Sequence, residues 1–133
     1  MLKLASTYFA TLLFLLLLDA VWLWQAALPM FRAALGPDLL TFRPVPGVLF
    51  YLVYAAGIMV FVIPAAGWQM TALYGALFGL FAYATYDLTN YATLKPWTVQ
   101  LAATDIVWGM VLTAVASTLG SLCGGMIARR FGG

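Results

Sequence analysis

Histidine and glutamate are absent from this chain, and there is a single cysteine, Cys123. Zinc, di-iron and histidine-ligated haem sites therefore lack their usual ligands, and a lone thiol excludes an internal disulfide. No metal and no cofactor is expected. Charge is scarce as well: lysine, arginine and aspartate together make up 8% of the residues. The net charge of +2 is too small to imply a nucleic-acid partner.

What fills the chain instead is apolar. Of 133 residues, 65% are hydrophobic, a composition that places the protein in a bilayer. A spanning helix needs about 20 mostly apolar residues, because its backbone groups must pair within the helix. Four segments qualify, at about 4–28, 46–66, 69–92 and 98–127. The expected fold is all-α: a polytopic membrane protein, with residues 1–133 forming a single four-transmembrane-helix bundle with short loops. The first span is expected to stop at Pro29, leaving 29–45, with Pro29, Gly36, Pro37 and Pro44, as a bent interfacial loop. The start resembles a secretory signal, but its apolar run continues to spanning length without a small-x-small cleavage site, so it reads as a span.

Charge says little about orientation. Lys3, Arg129 and Arg130 fall on one side, and Arg32, Arg43 and Lys95 on the other. The Arg129–Arg130 cluster tips the reading towards cytoplasmic termini. Trp24, Trp68 and Trp97 lie near segment ends, where indoles anchor at headgroup level.

The acids are more informative. Asp19, Asp87 and Asp105 all lie within predicted spans, and only Asp38 lies outside. An aspartate at a helix centre costs roughly 2.5–3.5 kcal/mol on insertion scales, so intramembrane acids normally face a bundle interior or a wet cavity. Alternate spans run in opposite directions, which puts all three in the same half of the membrane, on the side of Lys95.

Helical spacing groups their neighbours. Tyr83, Asp87 and Asn90 form one stripe flanked by Tyr86, and Tyr8, Leu12, Leu15, Asp19 and Trp22 share a face. Asp105 and Trp108 share another. The tetrads "DAVW" and "DIVW" each set an indole one turn beyond an acid, where its N–H could donate to a carboxylate or to a shared ligand. A plainer reading has the carboxyl groups tying helices together through Lys95, Asn90 or tyrosine hydroxyls. Gly75-xxx-Gly79, and Gly109, Thr113, Ser117 and Ser121, read as surfaces for close helix approach. Cys123 reads as an inert buried thiol.

The core "GALFGLFAYATYDLTNYATLKPW", followed by "DIVWG" and preceded by "LDAVWL", resembles an uncharacterised bacterial family of small predicted inner-membrane proteins with four spans, a domain of unknown function. The resemblance covers essentially the whole chain. It implies residence in the bacterial inner membrane and supplies no activity.

From the residues themselves, the expected site comprises Asp19, Trp22, Tyr83, Tyr86, Asp87, Asn90, Lys95, Asp105 and Trp108. One reading is that it binds or transports a small amphipathic or lipid-like molecule among membrane lipids, a carboxyl group carrying a proton coupled to movement. Four helices enclose little space, so a homodimer is expected, with the glycine face of the third span or the small-residue face of the fourth as its contact. A second reading is a membrane enzyme using Asp87 and Asp105 in acid–base isomerisation of a lipid, by fold-level analogy with emopamil-binding-type sterol isomerases and the translocator protein. A third is an accessory subunit packed on a larger complex.

Overall fold

The structure is a computed structural model that describes residues 1–41 and 43–132. The chain forms α1 (Leu2–Trp22), a π-helical turn (Leu23–Ala27), α2 (Leu28–Leu35), α3 (Pro44–Phe61), α4 (Gly67–Thr93) and α5 (Val99–Phe131). With α1 and α2 joined, this is a bundle of four long helices. Three of them, Leu2–Leu35, Pro44–Phe61 and Val99–Phe131, are long and apolar enough to cross a membrane. The remaining one, α4, has 27 residues but is diluted by its polar residues.

Pro29 does not end the first helix. The amide of Leu28 bonds to the carbonyl of Leu23, five residues back, so the turn ahead of the proline is wide. Such a turn accommodates a pyrrolidine ring and a missing N–H that would clash with a regular ladder. The helix stops at Gly36 instead, whose positive φ of 81° is one that glycine adopts without strain. The expected interfacial loop thus begins with two more helical turns. At the second span the opposite happens: α3 ends at Phe61, before the expected Ala66, because Pro64 cannot continue the ladder.

Helix α5 is the spine, packing extensively against both α4 and α1. Its small residues permit this on two sides. Towards α4, a Cβ placed on Gly75 would lie 2.9 Å from the Ala114 Cα, and Gly79 sits directly on the Gly109 backbone. Towards α1, Gly120 and Gly124 receive Thr11 and Thr7. The glycine and small-residue faces therefore serve close packing between helices of the same chain. The buried core comprises Leu15, Tyr54, Ala55, Ile58, Val62, Leu112 and Ala116. Helix α3 leans on α1 and barely touches α4, its contact there running through Phe78, whose ring would meet a Cβ on Gly57 at 2.9 Å.

Candidate functional site

The threonines of the polar segment at the end of α4 satisfy themselves. The hydroxyls of Thr85 and Thr93 donate to the carbonyls of Phe81 and Thr89, at 2.6 and 2.8 Å. Back-bonding to the preceding turn lets an outward threonine sit in an apolar setting without a tertiary partner. The aspartates behave differently: Asp19, Asp87 and Asp105 are all buried.

Asp19, on α1, is held from two helices. The Tyr51 hydroxyl of α3 donates to its Oδ2. The Trp108 indole N–H of α5 donates to its Oδ1 at 2.9 Å. A carboxylate accepts only, so two donors suit its ionised form.

The two Asp-x-x-Trp tetrads meet crosswise. Because α1 and α5 run antiparallel, the acid of one lies beside the indole of the other: Asp19 takes the Trp108 N–H, and the Trp22 indole stands beside Asp105. The rings of Trp22 and Trp108 stack face to face with centroids 4.9 Å apart. The exchange is not symmetrical in its bonding, since the Trp22 Nε1 closes no hydrogen bond.

Asp87 is fully buried, and neither of its oxygens has a donor. Its carboxyl group stands against that of Asp105, with the Trp97 indole close by. Two carboxyl groups can bond to each other only when one carries a proton.

A cavity of about 510 Å³ opens beside these groups. Its walls come from all the helices: Asp19, Trp22 and Leu23 from the end of α1 and the wide turn, Phe31 from α2, Pro46, Gly47, Phe50 and Tyr51 from α3, Ala82, Tyr83 and Tyr86 from α4, and Asp105 from α5. Tyr83 reaches it by packing over Gly109, where any Cβ would collide with the ring.

Of the residues expected at the site, Asp19, Trp22, Tyr83, Tyr86 and Asp105 line this cavity, with Asp87 and Trp108 directly behind them. Asn90 is half-buried beside the Tyr86 hydroxyl. Lys95 is exposed on the turn after α4 and forms no part of the wall. Trp24 and Trp68 are exposed, as anchoring indoles would be, but Trp97 is not an anchor. It is buried against Phe31 of α2, at 5.3 Å between centroids, and against Tyr86. Cys123 is only partly buried, and stands far along α5 from the cavity.

Sequence reasoning missed Tyr51, Trp97 and the aromatic edge of α3. The signal was present: Tyr51 and Tyr54 carry the only side-chain hydroxyls in an otherwise apolar span, and both point inward, Tyr54 pairing with Thr113 at 2.6 Å.

Residues 4–122 match the model of a family described as "Predicted membrane protein (DUF2177)". No curated protein and no solved structure matches the chain.

Proposed function

For a chain that belongs to the DUF2177 family of predicted membrane proteins, we propose that it binds a small amphipathic or lipid-like molecule in the cavity between α1, α3, α4 and α5. The observation that carries this reading is the cavity itself. It has about 510 Å³ of space, apolar and aromatic over most of its wall, with Asp19 and Asp105 among its lining residues. Small-molecule sites typically have a volume of about 300–1,000 Å³, a mostly apolar lining and a few placed polar groups. We place the protein in the bacterial inner membrane, with cytoplasmic termini.

A transport role is a natural extension, with the Asp87–Asp105 pair as the proton carrier. The same pair supports the alternative of acid–base chemistry on a lipid, because two carboxyl groups at a cavity wall offer the acid and the base that an isomerisation requires. Binding comes first in either case. The test is native mass spectrometry of the protein purified in mild detergent. A bound species of defined mass that is lost on replacing Tyr83→Ala, while the fold persists by circular dichroism, is the expected result. Recovery of only a distribution of bulk lipids, identical in wild type and variant, would overturn the reading.

A further inference from the structure

The cavity pairs two features that one kind of ligand satisfies together. The first is unbalanced acidity. Asp19 and Asp105 line the cavity and Asp87 backs it, whereas no lysine or arginine is among the lining residues. Arg32, Arg43 and Lys95, the cations on this side of the bundle, are all exposed. An ionised carboxylate withdrawn from water without a counter-charge is costly, and the protein supplies none. The second feature is the wall, where Trp22, Phe50, Tyr51, Tyr83 and Tyr86 surround the acids with aromatic rings.

We propose that the occupant of the cavity is an organic cation: a quaternary or protonated ammonium group attached to an apolar body. This rests on the reading of the cavity as an amphiphile site and narrows it to one charge class. The carboxylates supply the counter-charge, and the ring faces attract a weakly hydrated cation through their quadrupoles. A hard metal ion fits the chemistry less well, because it demands about six oxygen ligands. This wall offers mostly ring carbon, and no group of metal-holding side chains occurs among the described residues. An anionic amphiphile would meet Asp19 and Asp105 head on. A wholly neutral one would make no use of either acid.

The experiment uses the whole protein in nanodiscs of phosphatidylglycerol, titrated with benzyltrimethylammonium and, in parallel, with its neutral carbon isostere neopentylbenzene. Quenching of tryptophan fluorescence reports binding. The cation is expected to bind at least about tenfold more tightly than the isostere, a difference of the size of a desolvated cation–π contact. Asp105→Asn should abolish the preference. Should that variant fail to fold, Tyr86→Leu serves instead, because Tyr86 is half exposed. It should weaken the cation several-fold and leave the isostere unchanged. Added phosphatidylcholine that displaces the probe would identify a lipid headgroup as the source of the ammonium, and failure to displace it would identify a free cation. Equal binding of cation and isostere, indifferent to Asp105→Asn, would overturn the charge assignment and leave the amphiphile site standing. Binding of neither probe, with no species of defined mass co-purifying, would overturn both.

Discussion

The indole of Trp108 donates to Asp19 at 2.9 Å across the α1–α5 contact, while the indole of Trp22, stacked upon it, donates to nothing. Two side chains of one kind, in equivalent tetrads, therefore differ in what holds them. Trp108→Phe removes a hydrogen bond along with the larger ring, whereas Trp22→Phe removes only ring area. The first should cost about 1 kcal/mol more than the second, the size of a polar contact between membrane helices. Reversible denaturation in mild detergent measures the difference, and equal losses would mean that the Trp108–Asp19 bond contributes nothing.

Close approach of α4 and α5 gives the largest expected effect. Gly79→Ala drives a methyl group into the Gly109 backbone, which cannot yield as a flexible side chain would. It should destabilise the protein by about 1–3 kcal/mol or more, the range for overpacking. Gly125→Ala is the matched control, since its nearest neighbour is the end of the Arg129 side chain at 3.5 Å. Thermal melts of the two variants in the same detergent should separate clearly.

Tyr51→Phe leaves Asp19 with one donor in place of two. Stranding part of a buried carboxylate costs about 1–3 kcal/mol. The loss should shrink in an Asp19→Asn background, where the stranded group is no longer charged, and a double-mutant cycle reads this directly. Additive losses would show that the two side chains are not coupled.

Asp87→Asn keeps the shape of the side chain and gives it an N–H that can donate to Asp105. Stability should change by no more than about 1 kcal/mol. Lys95→Ala should be silent, because Lys95 is exposed and away from the cavity wall. Retention of the bound molecule as a function of pH is the functional readout. Asp87→Asn should flatten it, and an unchanged pH profile would show that the proton at position 87 has no role.

That Asp19, Asp87 and Asp105 come together was legible because it follows from helix rise and alternating direction alone, and the structure buries all three, with Asp19 on the Trp108 indole one turn from Asp105 and Asp105 against Asp87. The role of Gly75 and Gly79 in close helix packing was legible for a similar reason: small residues one turn apart leave a groove. Their use as a dimer contact was not decidable, since a groove accepts a helix from the same chain as readily as one from another. Tyr51 was overlooked because one hydroxyl scarcely alters the hydropathy of an aromatic residue in a greasy run. Trp97 was misread because a tryptophan at a segment end looks the same whether it faces headgroups or tucks under α2. Pro29 misled because its local rule is to stop a helix, and only the wide turn ahead of it suspends that rule.

The cavity proposed as an amphiphile site is walled by helices that are, for the most part, long and apolar enough to cross a membrane, so its occupant would be drawn from the bilayer. The local concentration of any occupant is then set by its partitioning into the bilayer. A molecule that is dilute in water but a thousandfold enriched in lipid, as apolar bodies of about five or more methylene groups are, would fill the site at aqueous levels far below its intrinsic dissociation constant. Affinities for the proposed amphiphile would therefore be meaningful per mole of lipid, and a water-based titration at a single lipid concentration would report the membrane as much as the site.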